Sequence, residues 1–285
     1  VLSTLFQQII NGITVGSIYS LVALGYTMVY GIIKLINFAH GDIFMVGAFI
    51  GLLISIKLGA NFILVIFIAM ICTSFIGVLV EKIAYNPLRN RNSARISALI
   101  SAIGVSIFIS NLVVLINGPQ NESYPALLPN NILQPLIILI SIGLMYGLYY
   151  IVHNTKVGIA MRAVSHNVNT ARLMGINPDM IISFTFAIGS FLAGAAGVLV
   201  GTYYRAVDPF MGMMFGLKAF VAAVLGGIGS IPGAMVGGLI LGLTEVLGVA
   251  FISSSFRDAI AFGILILILI VKPAGLFGKK TKEKV

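Results

Sequence analysis

Twenty-one consecutive residues without a charge, ISALISAIGVSIFISNLVVLI from Ile96 to Ile116, leave few folds open to this chain. A helix needs about 20 apolar residues to cross the roughly 30 Å hydrocarbon core of a bilayer. A second run, NFILVIFIAMICTSFIGVLV from Asn61 to Val80, is nearly as good. Both are rich in Leu, Ile, Ala and Gly and lack strict alternation, which argues for helices. The strands of an outer-membrane barrel would alternate in polarity over about ten residues. Composition agrees, since only 9% of residues are charged and 59% are hydrophobic, against roughly a quarter charged in soluble domains. The chain reads as all-α, a polytopic integral membrane helical bundle forming one transmembrane domain over residues 1–285, with the lipid bilayer as its solvent.

Apolar segments fall at 5–32, 42–57, 61–82, 96–116, 133–152, 179–204, 217–228, 232–252 and 256–272. Those at 42–57 and 217–228 are short, so about 8–9 membrane segments are expected, some short or broken. The formal charge of +9 would suggest a nucleic-acid partner in a soluble protein. Here the basic residues sort into three clusters instead: Lys82, Arg89, Arg91 and Arg95; Lys156, Arg162 and Arg172; and Lys272, Lys279, Lys280, Lys282 and Lys284. Such clusters mark cytoplasmic segments, so no nucleic acid is called for. The loop NGPQNESYPALLPNN, Asn117 to Asn131, has no Lys or Arg and suits the outside. Counting from the clusters gives an external amino terminus, a cytoplasmic carboxyl terminus and an even number of spans between Arg172 and Lys272. That parity requires segment 217–228 to count, or else eight helices with a re-entrant piece.

Polar residues inside such a chain are the candidate functional positions. The stretch LINFAHGDIF gathers Asn37, His40 and Asp42 between the first two spans, next to Lys34 at their cytoplasmic end. Neither a nucleophile–base pair nor metal-ligand spacing accompanies them, so no catalytic residue and no metal site is assigned. Gly41 would let the chain turn, with Asn37 or Asp42 capping a helix that starts near Ile43. This polar turn either gates the inner mouth or joins two helices. Glu245, within LILGLTEVLGVAF, is an acidic residue inside a span, open to a role as interhelical contact or as pathway ligand. Gly226, Gly227 and Gly229 interrupt AAVLGGIGSIPGAMVGGLILG, where unwound backbone would need a cavity or protein to satisfy it. Lining of a pathway and a tight turn both fit. Glycines four apart, such as Gly12 and Gly16 or Gly238 and Gly242, favour close helix packing.

Between spans, KVGIAMRAVSHNVNTARLMGINP places Val157, Met161, Val164, Val168 and Ala171 on one helical face, and Arg162, Ser165, Asn169 and Arg172 on another. Gly175 ends this amphipathic helix or helix pair, and Asn177 with Pro178 starts the next span. A helix lying on anionic lipid and a dock for a soluble partner both have this pattern. No GxxxxGK[ST] loop is present, so the chain carries no nucleotide site of that type.

SLVALGYTMVYGIIKLINFAHGDIFMVGAF, GIAMRAVSHNVNTARLMGIN, LKAFVAAVLGGIGSIPGAMVGGLILG and KPAGLFGKK, taken in order, resemble the successive blocks of LivH-type permeases of bacterial branched-chain amino-acid ABC importers. The resemblance implies a multi-pass subunit of the bacterial inner membrane that is not itself an enzyme and binds no cofactor. It implies a heterodimer with a second, related permease, two cytoplasmic ATPase subunits that use ATP and Mg, and an extracytoplasmic amino-acid-binding protein. Leu, Ile or Val would pass between the permeases as these rock between outward and inward openings. Residues 153–177 would be the coupling loop. Against the broader pattern Glu-Ala-Ala, three residues, Gly, Ala171 and Gly175 fit, while Asn169 and Thr170 replace Glu and Ala. ATPase recognition would then rest on Arg162, Arg172 and the apolar face. An ABC permease for another small solute such as urea, and an ion-coupled secondary transporter using Asp42 and Glu245, are the alternatives. A channel would call for a filter motif that is absent.

Overall fold

A computed structural model describes residues 2–91 and 93–278. Lys279, Lys280, Lys282 and Lys284 of the third basic cluster lie outside the described residues. Among the described residues, twelve α-helices run α1 (Leu2–Ile33), α2 (His40–Leu58), α3 (Phe62–Val80), α4 (Asn86–Asn90), α5 (Arg95–Asn117), α6 (Asn130–Asn154), α7 (Lys156–His166), α8 (Val168–Leu173), α9 (Pro178–Tyr204), α10 (Met211–Gly226), α11 (Ile231–Phe251) and α12 (Arg257–Val271). A π-helical turn, Glu81–Tyr85, carries α3 directly into α4. Among the described residues, eight helical stretches are long and apolar enough to cross a membrane, and α10, with sixteen residues, is not.

The core is built on α1 and α9. Small residues bring backbones together, because helices in lipid gain nothing from hydrophobic burial and associate through close contact. Gly16 packs on the backbone of Leu239 and Gly238 on that of Ser20, which locks α1 to α11. Gly47 of α2 meets Gly194 of α9 in the same way. The helices α5 and α12 sit at the edge, with exposed Ile107, Phe108, Leu115, Ile266 and Ile270.

Two short strands, β1 (Glu122–Ser123) and β2 (Ala206–Val207), pair antiparallel and tie the 118–129 loop to the end of α9. This defines a loop end of the bundle. At the opposite end, Leu276 and Phe277 donate their backbone N–H groups to Leu225 and Gly226, and Gly31 lies against Gly229. Lys34, Arg89, Arg162, Arg172 and Lys272 gather there, and the loop without Lys or Arg occupies the other end.

The stretch after α1 does not stay at the end of the two spans, where the sequence reading places it. Lys34 takes a left-handed conformation (φ 55°) and reverses the chain. The following residues then climb back into the bundle before α2 begins. His40 packs edge-on against Tyr26, with ring centroids 4.9 Å apart, and beside Gly25, which abuts Gly189 near the middle of α9. The amino end of α2 is therefore at mid-depth and not at the cytoplasmic rim. Helix α10 starts at the same level, since a methyl group on Gly41 would collide with the Gly212 carbonyl and lie 2.9 Å from the Gly216 Cα. From there α2 runs to the loop end and α10 to the basic end, which explains why both read as short segments.

Candidate functional site

Asn37, His40 and Asp42 are all buried, yet they do not converge on one another. Asn37 Oδ1 accepts from the Tyr85 hydroxyl at 3.0 Å, in the π-helical turn. Asp42 Oδ1 accepts from Ser110 Oγ of α5 at 2.8 Å. His40 faces α1. Each polar group thus joins the amino end of α2 to a different helix. Neither Asn37 nor Asp42 caps α2: Ala39 stands at the cap position with no side-chain bond, and the helix starts at His40, three residues before Ile43. Gly41 is helical, and its missing side chain serves the approach of α10 and not a turn. Among the described residues no three His, Cys, Asp or Glu side chains are grouped to hold a metal ion.

Glu245 is the hub of a second buried cluster, toward the loop end. Its Oε1 lies 3.1 Å from Lys218 Nζ and 3.4 Å from Arg257 Nε, and its Oε2 accepts from the Tyr19 hydroxyl at 2.9 Å. Lys218 also reaches Asp258 Oδ1 at 2.8 Å. Helices α1, α10, α11 and α12 meet in this cluster of two cations and two carboxylates. A lone buried charge is expensive in lipid, and pairing is the usual remedy. Lys218, Arg257 and Asp258 are absent from the candidates read in the sequence. The available signal is Lys218 itself, a cation in an apolar segment that requires an anion nearby.

Gly226, Gly227 and Gly229 form the turn between α10 and α11 at the basic end. Gly227 (φ 103°) and Gly229 (φ 93°) adopt a backbone that other residues rarely take, and Ser230 caps α11 through Gly233. The strap at Leu276 and Phe277 donates to the Leu225 and Gly226 carbonyls at the end of α10, and Ser230 donates to that of Gly227.

The 153–177 loop is a helix pair. Thr155 caps α7, and Asn167 Oδ1 breaks the pattern by accepting from the N–H groups of Asn169 and Thr170 to start α8. Met161, Val164 and Ala171 are buried as the apolar face requires, but Val168 is exposed, because the break at Asn167 resets the helical phase. Gly175 (φ 79°) ends the pair, and Asn177 caps α9 through Asp179 and Met180. Arg162 donates to the Val152 carbonyl at the end of α6 and so fastens α7 to the bundle. Asn169 and Arg172 are exposed on α8, beside Leu173 and Met174, which are 87% and 78% exposed.

Arg172 leads back into the bundle. Its guanidinium lies 3.9 Å from Asp179, Asp179 lies 2.7 Å from Arg89, and Arg89 lies 3.1 Å from Glu81, which has no solvent exposure. Ser183 Oγ donates to the other Glu81 oxygen at 2.8 Å. The loop is thereby connected, pair by pair, to the π-helical turn that holds Tyr85 and, through it, Asn37. Glu81 and Asp179 are further residues that sequence reasoning missed. A carboxylate next to Lys82 at a span end looks solvated until the fold buries it.

These features define a multi-pass α-helical membrane protein, with helices that start at mid-depth and a capped helix pair at its basic end. Residues 8–269 match the family model described as branched-chain amino acid transport system, permease component, and the chain belongs to that family. It is 43% identical to the high-affinity branched-chain amino acid transport system permease protein BraD of Pseudomonas aeruginosa, over 98% of this chain and 97% of the relative. It is 42% identical to the corresponding LivH of Escherichia coli K12 with the same coverage. The ribose import permease RbsC of Haemophilus influenzae is 32% identical over 46% of this chain. No solved structure matches.

Proposed function

We propose that this chain is the membrane-spanning subunit of an ABC importer that carries branched-chain amino acids across a bacterial inner membrane. The observation that carries the reading is the near-complete match, end to end, to relatives named for that transport. In this reading the basic end faces the cytoplasm, as the distribution of Lys and Arg supports. The chain forms a heterodimer with a second, related permease. ATP and Mg are used by two ATPase subunits, and an extracytoplasmic binding protein delivers the substrate at the loop end. The chain itself binds no cofactor and catalyses no bond cleavage.

The 153–177 loop is the coupling element. Exposed Leu173 at the end of α8 and Met174 just after it supply an apolar contact for an ATPase subunit, Asn169 and Arg172 flank it, and Ala171 anchors α8 inward. Movement imposed on α8 reaches the bundle through Arg172, Asp179, Arg89 and Glu81. An ion-coupled transporter needs intramembrane carboxylates able to load and release a cation. Here Glu245 is held by Lys218 and Asp42 by Ser110, which favours the importer.

Reconstitution tests this. Proteoliposomes holding both permeases and the ATPase subunits should take up labelled leucine only with external binding protein and internal ATP. Uptake driven by a proton or sodium gradient without ATPase subunits or binding protein would sink the proposal.

A further inference from the structure

A cleft of about 210 Å³ opens at the loop end between the β1–β2 ladder, the first turns of α10 and the start of α12. Its walls are of two kinds. Val200, Met211 and Phe215 make an apolar side, and Arg257 and Asp208 bring opposite charges to the same space. The volume falls below the roughly 300–1,000 Å³ usual for drug-sized ligands, which suits one small metabolite and not a peptide.

Both charged groups are held in place by the chain. Arg257 directs Nε at Glu245, which is itself fixed by Lys218 and Tyr19. A guanidinium has five N–H donors in a rigid fork, and the Arg257 side chain is 42% exposed, so the Glu245 contact orients the group without exhausting it. Asp208 Oδ1 accepts from the Phe210 N–H at 2.6 Å, which sets the plane of its carboxylate just ahead of α10. Phe215 is wedged among Tyr19, Phe44 and Tyr204, with ring centroids 5.3 to 6.1 Å away.

A fixed guanidinium, a fixed carboxylate and an apolar wall around one small cleft are complementary to a zwitterion with a hydrocarbon side chain. We propose that this cleft is a subsite for an apolar α-amino acid, its carboxylate on Arg257, its ammonium on Asp208 and its side chain against Phe215 and Met211. Carboxylate recognition by Arg is strong and geometrically specific because two parallel N–H bonds can form. The inference rests on the importer reading and names this chain's own contacts to the transported molecule. It also gives the Glu245 cluster a second task, that of aiming Arg257.

The test is equilibrium binding of tritiated leucine to the assembled importer in nanodiscs without binding protein, with uptake by proteoliposomes measured in parallel. Saturable binding is expected in the wild type. Arg257→Gln and Asp208→Asn should each weaken it at least tenfold, and Lys57→Gln, an exposed change elsewhere at the loop end, should leave it unchanged. Leucinamide, which lacks the carboxylate, and 4-methylpentanoate, which lacks the ammonium group, should compete at least tenfold less well than leucine. If Arg257→Gln fails to assemble, Asp208→Asn carries the test, because Asp208 is outside the Glu245 cluster. Phe215→Ala should then narrow the preference for leucine over alanine. Wild-type affinity in Asp208→Asn, equal competition by leucinamide, or no saturable binding by an importer that takes up leucine would overturn the subsite alone. A wild-type complex that takes up no branched-chain amino acid with ATP and binding protein would overturn the importer reading and the subsite with it.

Discussion

Glu245 and Glu81 are both carboxylates removed from solvent, 2% and 0% exposed, and both are met by cations, yet they are built for different purposes. Around Glu245 the cations are Lys218, only 7% exposed and shared with Asp258, and Arg257. Every partner is a membrane helix. Around Glu81 the cation is Arg89, 25% exposed, and the next links are Asp179 and Arg172, progressively closer to water. The first cluster draws four helices around Glu245 and meets solvent at Arg257 and Asp258, 42% and 49% exposed, whereas the second is a chain that runs from the interior to a surface helix. A cluster shared by four helices fixes them against one another, and a chain of pairs connects an interior turn to whatever moves α8.

Removing Lys218 should therefore have the largest effect on stability. Lys218→Met leaves Glu245 and Asp258 without their shared cation, and breaking one side of a buried pair costs about 3–5 kcal/mol. Thermal unfolding in nanodiscs should show a marked loss, and the double change Lys218→Met with Glu245→Gln should recover much of it, since the uncompensated charge is gone. A double variant no more stable than the single one would mean that the cluster does not hold the helices by charge. Glu81→Gln should do less. Ser183 keeps an acceptor and Arg89 keeps Asp179, so the loss is that of one charge-assisted bond, about 1.5–3 kcal/mol, again read from unfolding. Gly41→Ala probes the region between the clusters. The added methyl meets the Gly212 backbone, and overpacking of this kind costs typically 1–3 kcal/mol. An unchanged unfolding temperature would show that α2 and α10 can part at mid-depth.

The comparison also explains what the sequence does and does not disclose. Spans such as Ile96 to Ile116 are legible because a long uncharged run has one physical solution. The same criterion says nothing of depth, so LINFAHGDIF reads as a joint at the rim although its residues climb to the level of Gly189. The apolar repeat through Val168 is legible, but the restart at Asn167 depends on which side-chain oxygen wins the next N–H groups. The caps at Asn177 and Gly175 are local and read directly. Lys218 and Asp258 are forty residues apart, and Arg89 and Asp179 ninety. Their pairing exists only after the bundle is assembled, and no spacing rule announces it.

Arg172→Glu should have the smallest effect on stability and the sharpest on coupling. Arg172 is 55% exposed and 3.9 Å from Asp179, and surface pairs of this kind contribute about 0–1 kcal/mol. Unfolding should therefore move little. Reversal of the charge nevertheless sets a carboxylate against Asp179 at the point where α8 joins the chain to Glu81. In the assembled importer, ATP hydrolysis stimulated by binding protein should fall at least tenfold while basal hydrolysis and complex assembly persist. A variant that unfolds early would assign Arg172 to the fold, as with Lys218, and one with normal stimulation would make α8 a helix resting on lipid. Loss of stimulation at unchanged stability is the outcome that separates the chain of charges at Glu81 from the cluster at Glu245.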